Sequence, residues 1–269
     1  MVDPHPLITV IIPVRNRSGR RLINCLKSLR YQIIDELTTI QSKSAIEIII
    51  CDFGSNPNHR KNIAKLAESE RSTVIFVETN TIWNRSLALN IGIRRARGKY
   101  VLCTDADMVF LPNFIQSALD AQRKYAETGA MVLCQCHDLP EYTKEFHLSI
   151  ETLSNHLNKS TIRQYGGTGA CQCAPLSFFN YARGYDEGYV FWGSEDKDMV
   201  ARAEKYGLKL VWVDNLTAMA HQWHRSLRED RKWLVMRNRI RYKLTRHKVV
   251  KNPRHWGGKS SKIVRNNIK

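Results

Sequence analysis

No stretch of about 18 apolar residues occurs in this 269-residue chain, so nothing in it reads as a membrane-spanning helix. The opening residues, Met1-Val2-Asp3-Pro4-His5-Pro6, have neither a basic start nor an apolar core, and no export signal is expected from them. Internal repeats and low-complexity tracts are absent, which excludes a solenoid or a collagen-like rod. No Cys-x-x-Cys pair is found among the seven cysteines, Cys25, Cys51, Cys103, Cys134, Cys136, Cys171 and Cys173. The period-two spacing of Cys134 with Cys136 and of Cys171 with Cys173 suits strands better than a four-thiolate zinc site, so free thiols in a reducing cytoplasm are expected. Acids are scarce at one end. Residues 225–269 hold sixteen Lys or Arg against only Glu229 and Asp230, and so carry fourteen of the seventeen net positive charges.

What is present is a core-building chain, 43% hydrophobic, with a repeating order of elements. Residues 7–14 (LITVIIPV), 46–51, 72–77 and 100–104 are apolar, β-branched runs of the kind buried on both faces of a parallel sheet. Between them, Leu22, Cys25, Leu26 and Leu29 give one helical stripe, and 84–97 reads as another helix. Pro112 is expected to open a further helix, 131–136 to be a fifth strand, 195–206 a helix and 209–213 a strand. Residues 138–170 read as a loop-rich, mobile segment around Gly166-Gly167-Thr168-Gly169. The alternation predicts an α/β fold, a mostly parallel Rossmann-like sheet with helices on both faces, which binds ligands beyond the carboxyl ends of its strands. Asp52 and Asp105 both fall at such ends.

Several clusters suggest chemistry, each with a plainer alternative. Asp105-Ala106-Asp107 places two carboxylates on the same side of an extended backbone, where both reach one hard cation; acidic turn residues also commonly end strands. His221 and His224 add imidazoles that favour manganese or another transition ion, or are surface histidines at the head of the basic tail. Glu195, Asp196 and Asp198 open a helix behind Trp192-Gly193-Ser194, where Ser194 can cap and acids suit the helix dipole; one of these carboxylates can equally be a general base. Asn84, Arg85 and Asn90 open a helix at the sheet edge, to meet a base or phosphate or simply to cap it.

Taken in order, TVIIPVRNR, IIICDFGS, WNRSLALNIGIRRARGKYVLCTDADMV and RGYDEGYVFWGSEDKDMVARAEKYG resemble the inverting glycosyltransferases of family 2, which have the GT-A fold. The last stretch is similar to the C-terminal signature of β-1,4-galactosyltransferases and of chondroitin and hyaluronan synthase modules. The resemblance spans about residues 7–225 and implies roles for particular residues. Pro13, Arg15 and Asp52 would line the nucleotide pocket with Arg85 nearby, and Asp105 would approach the ribose or the metal. Asp107 would ligate Mn2+ or Mg2+ with His224 and, where galactosyltransferases carry methionine, His221. Asp196 would be the base, Glu195 would hold sugar hydroxyls and Trp192 would pack on a sugar face. The implied reaction is metal-dependent, inverting transfer of a hexose or N-acetylhexosamine from a UDP-sugar, UDP-Gal or UDP-GalNAc first among them, to a glycan or lipid-linked acceptor. Ser194, where galactosyltransferases have glycine, and His221 depart from the pattern.

The expected organisation is a transferase domain over 1–224, with a nucleotide half at about 7–110 and an acceptor half at about 111–224, followed by a basic extension over 225–269. Within it, 225–250 mixes Trp233, Met236 and Ile240 with Arg and Lys, as in a basic amphipathic helix. It would bind an anionic membrane or a polyanionic glycan, or pack back on the domain. A cytoplasmic protein, peripheral at the inner face of the membrane, is the resulting expectation. Two rival readings are a silent sugar-binding module and a nucleic-acid-binding protein; the acidic clusters at the sheet edge oppose the second, so no nucleic acid is expected.

Overall fold

A computed structural model describes residues 5–35, 41, 44–145, 150–163, 168–225, 232–258 and 263–265. In chain order the strands are β1 Ile8–Val14, β2 Ile46–Phe53, β3 Thr73–Val77, β4 Tyr100–Cys103, β5 Met108–Phe110, β6 Ala130–Leu133, β7 Cys136–Asp138, β8 Thr161–Ile162, β9 Gln172–Pro175, β10 Lys209–Trp212, β11 Met219–His221 and β12 Ile263–Arg265. The helices are α1 Arg20–Arg30, α2 Pro57–Ser69, α3 Arg85–Ile93, α4 Phe114–Lys124, α5 Ile150–Leu157, α6 Leu176–Ala182, α7 Glu195–Tyr206 and α8 Lys232–Thr245.

The main sheet has the order β10-β6-β9-β4-β1-β2-β3-β12. Its centre, β4-β1-β2-β3, is parallel throughout. The expected alternation is therefore present, and the reason is visible in β1. Ile8, Val10, Ile12 and Val14 pack into one core with α1, α2 and α4, while Ile11 packs into a second core with α3, α6 and α7. A strand with helices over both faces is apolar on both, as its sequence shows except at Thr9, whose Oγ1 donates to Glu47 Oε2 at 2.6 Å. Local capping starts two of the helices: Asn56 Oδ1 accepts from His59 N ahead of Pro57, and Asn84 Oδ1 accepts from Leu87 N.

Some expected elements differ. The run 131–136 is two strands in two sheets, because the chain turns at Cys134 and Gln135, where Gln135 N donates to the Asp214 carboxylate. Pro112 lies outside α4, which begins at Phe114. Residues 138–170 contain α5 and β8, although Gly166 and Gly167 lie outside the described residues. β9 inserts antiparallel between β4 and β6. A second sheet, β5-β11-β7-β8, stands beyond the end of β4 and carries the late histidines. All seven cysteines are free and buried, and burial pushes the Cys51 thiol up to about 12. Among the described residues no helix is long and apolar enough to cross a membrane.

Residues 232–258 pack on the domain. Leu234, Asn238, Asn252 and Trp256 are buried in it, and Asn252 Nδ2 donates to the carbonyls of Arg183 and Tyr185. Beneath them lies a buried ionic cluster. Lys251 meets Asp198 and stands 4.0 Å from Asp186, Arg241 binds both oxygens of Asp186 at 2.7 and 2.8 Å, and Arg202 lies 3.6 Å from Asp198.

Candidate metal and transfer site

Asp107, His221 and His224 come together from positions over a hundred residues apart, with one ligand atom of each within 4.8 Å of the others. Strand register brings this about. His221 pairs with Met108 across β11 and β5, placing it beside Asp107, and Gln222 N donates to the Asp107 carbonyl at 2.9 Å. His224 Nε2 lies 3.1 Å from Asp107 Oδ2, and His221 Nε2 lies 3.9 Å from Asp107 Oδ1.

Both rings are oriented from behind. His221 Nδ1 is 3.0 Å from Asp138 Oδ1, and His224 Nδ1 is 2.9 Å from the Arg225 carbonyl. A neutral ring with its proton on Nδ1, where an acceptor is available, would leave the Nε2 lone pair to share a cation with Asp107. Asp138 is fixed in turn by Arg163, whose Nε donates to Oδ2 at 2.9 Å. Burial alone would raise the Asp107 carboxyl, but when the rings are protonated the His224 Nε2–H hydrogen bond and the charges of His221 and Arg17 hold it well below the usual carboxylate range. An oxygen and two imidazole nitrogens converging on one point fit a divalent transition ion such as Mn2+.

The structure places Asp105 apart from this cluster. Its carboxylate accepts from Arg85 Nε at 2.8 Å, and Arg85 Nη2 donates to the Gly169 carbonyl at 2.6 Å. Arg85 Nη1 and Glu195 Oε2 are both buried without a hydrogen-bond partner. Burial, then Asp196, push the Glu195 carboxyl up to about 7 against the opposing pull of Arg85. Asp196 follows in the first turn of α7 and is only half-buried. It packs on Gly169, where an added Cβ would stand 3.0 Å from Asp196 Oδ2. Ser194 does not cap α7 with its side chain; it sits at φ 74°, and only its carbonyl joins the helix, accepting from Asp198 N. Trp192 is exposed beside this turn.

At the far side, the register pairs Pro13 with Cys51 and Val14 with Asp52, so Pro13, Arg15 and Asp52 share the carboxyl end of β1 and β2. Asp52 is fully buried; Oδ1 accepts from Ser55 N at 3.2 Å, and Oδ2 has no hydrogen bond, with Arg60 4.0 Å away. Burial raises its pKa. Arg15 Nη1 donates to the Thr81 carbonyl at 2.6 Å. Asn84 caps α3, and Asn90 is a structural residue, donating to the Tyr185 carbonyl and to Glu187 Oε1.

Sequence reasoning missed Asp138, Arg163 and Arg17. Nothing in linear spacing links 138 to 221; the parallel register of β7 with β11, which sets His221 against Asp138, is what joins them. Arg17 Nη1 stands 3.6 Å from Asp107 Oδ2.

Comparison with known proteins identifies the family and the fold. Residues 9–182 match the model of glycosyl transferase family 2, and residues 145–225 match that of the N-terminal domain of galactosyltransferase. The undecaprenyl-phosphate 4-deoxy-4-formamido-L-arabinose transferase of Pseudomonas aeruginosa is 27% identical over 133 residues, covering 48% of this chain and 37% of its own. The chain spans less than half the length of the curated relatives it matches. Two solved structures share the fold. A mannosyltransferase from Pyrobaculum calidifontis in complex with GDP-Man and Mn2+ has a TM-score of 0.58 at 16% identity, covering 94% of this chain and 67% of its own. GalNAc-T7 with UDP, GalNAc and Mn2+ has a TM-score of 0.62 at 16% identity, with coverages of 88% and 47%. The first match takes in β1, the Asp105–Asp107 turn and β9, the second the turn into α7 and both histidines, and with the first extending over more than half its length the chain belongs to glycosyl transferase family 2.

Proposed function

We propose that the protein is a metal-dependent, inverting glycosyltransferase that moves a hexose or N-acetylhexosamine from a UDP-sugar to a hydroxyl of a glycan or lipid-linked acceptor. The observation that carries this reading is the convergence of Asp107, His221 and His224 with an acceptor behind each imidazole at Nδ1. A divalent cation held there supplies Lewis-acid stabilisation of the charge on a departing diphosphate. Arg17, beside Asp107, and Arg21 of the first turn of α1 add positive charge where those phosphates would lie; burial, then the nearby Arg17, lower the Arg21 pKa, and a bound anion would relieve that repulsion.

The nucleotide then runs across the sheet edge. β2 is two strands from β4, on the order of 10 Å, and Asp52, Pro13 and Arg15 are assigned to the base, with the unpartnered Asp52 Oδ2 as an acceptor for a ring N–H. Asp105, held by Arg85, is assigned to the ribose rather than to the metal. Glu195, buried beside Arg85 with a free oxygen, is assigned to sugar hydroxyls, and Trp192 to a sugar face. Asp196 is the carboxylate of this turn that solvent and an incoming hydroxyl can both reach, so it takes the acceptor proton as that oxygen attacks the anomeric carbon. The galactosyltransferase match over 145–225 and the UDP named with GalNAc-T7 support UDP-Gal or UDP-GalNAc as donor.

A donor screen tests this reading. Nucleotide release is followed across UDP- and GDP-sugars with Mn2+, with glycan and lipid-linked acceptors, and the product anomer is read by NMR. Transfer from a UDP-hexose or UDP-N-acetylhexosamine with inverted configuration is expected. A retained anomer, or release from GDP-sugars alone, would contradict it.

A further inference from the structure

α8 carries one apolar stripe that the domain leaves uncovered. At about 100° per residue, Leu234 and Asn238 point into the domain and are buried. Trp233, Met236, Ile240 and Leu244 fall within an arc of about 80° on the other side, and are 65, 57, 52 and 67% exposed. Lys232, Arg239 and Lys243 border this stripe on one flank and Arg237 on the other, and the helix contains no acid. A surface helix normally shows solvent a polar face, so four exposed apolar side chains in line ask for an apolar partner, and the flanking cations ask for an anionic one.

The inward side is fixed to the segment that leads into the transfer site. Asn238 Nδ2 donates to the carbonyls of Val190 and Trp192 at 2.9 and 3.0 Å, and Arg237 Nη1 to that of Gly188 at 3.2 Å. The Arg241 guanidinium also lies against Gly188, where a Cβ would stand 2.2 Å from its central carbon. The helix thus rests on the backbone just before Glu195 and Asp196.

We propose that α8 docks the protein on an anionic membrane surface, with Trp233, Met236, Ile240 and Leu244 at the headgroup boundary and the flanking Lys and Arg on lipid phosphates. A polyanionic glycan would use the cations but leave the stripe without a partner; a bilayer surface satisfies both. Docking in this pose holds Trp192 and Asp196 near the membrane, so the acceptor is a lipid-linked one. That last step alone rests on the transferase reading.

Flotation of the full chain with vesicles tests the docking. Vesicles of phosphatidylcholine with about a third phosphatidylglycerol should retain at least ~10-fold more protein than phosphatidylcholine alone, with a loss as salt rises. The double variant Ile240→Asp, Leu244→Asp should lose ~10-fold or more of that binding with its melting temperature unchanged. Lys232→Gln, Arg239→Gln, Lys243→Gln should lose the preference for anionic lipid. Vesicle binding untouched by the stripe substitutions, even where the cation variant abolishes it, overturns the proposal, as does stripe-dependent self-association in sedimentation without vesicle binding. Metal-dependent nucleotide release from a soluble donor, assayed on the same wild-type samples, keeps the two readings apart. Vesicle binding without release leaves docking standing and removes the lipid-linked acceptor; release without vesicle binding overturns docking.

Discussion

Asp138 makes no contact with a nucleotide or sugar in this account, yet it decides which nitrogen of His221 is free to ligate. Loss of such a carboxylate typically weakens metal affinity by about 10- to 100-fold. Asp138→Asn should therefore raise the Mn2+ dissociation constant by that order, measured by calorimetry or by EPR of free Mn2+, while the fold is kept. Unchanged affinity would show that His221 needs no orientation. Asp196→Asn should lower turnover about 100-fold or more with Mn2+ affinity intact; turnover within tenfold of wild type would remove Asp196 as base. Glu195 gives a pH signature. Its carboxyl binds a proton more tightly in the folded chain, with a pKa of about 7 against 4.5 for the free side chain. Stability therefore falls as pH climbs through that window, where the unfolded chain has already ionised. Glu195→Gln removes this penalty, so its melting temperature should gain on wild type between pH 5 and pH 8, by a free energy of about 3 kcal/mol at most. A gap that does not change with pH would contradict the buried placement.

At the scale of elements, the sequence was most readable where a strand is buried on both faces. β1 and β2 announce themselves as nearly unbroken β-branched runs because helices cover each side, and α7 follows the stripe Met199, Ala203, Tyr206 at its first two positions, Tyr206 being exposed. Short strands are not readable. β7, β8, β9 and β11 are two to four residues each, too short to establish a period, and their places depend on partners distant in sequence. The basic amphipathic helix expected within 225–250 is present as α8, but its anchoring through Asn238 and Arg241 depends on partners distant in sequence. The clamp between α7 and the segment after α8 was also invisible, since Lys251, Asp198 and Asp186 carry no local pattern. Lys251 is 2% exposed between two acids, so Lys251→Met should lower the unfolding free energy by about 3 kcal/mol in urea titration. A loss below about 0.5 kcal/mol would mean that Arg202 and Arg241 suffice to hold those acids.

Across the whole molecule, the site is divided between two sheets. The proposed nucleotide end lies at the parallel centre of the main sheet, whose alternating sequence points both to the fold and to the position of Asp52 at a strand end. The proposed metal end lies where the small sheet meets that centre. Residues 107, 221 and 224 were nameable from their types and from the resemblance to the family, but their convergence depends on the β5-β11-β7 register, which the sequence does not display. The same register brings in Asp138 and Arg163, and so explains why they went unnoticed. The most direct test of the metal-dependent account is a Mn2+ titration of nucleotide release from a UDP-sugar, run on metal-stripped wild type and on His224→Ala. The account predicts no release in chelator, saturable activation by Mn2+ in the wild type and an activation constant at least ~100-fold higher in the variant. Release that persists in chelator, or an identical activation curve for His224→Ala, would contradict it.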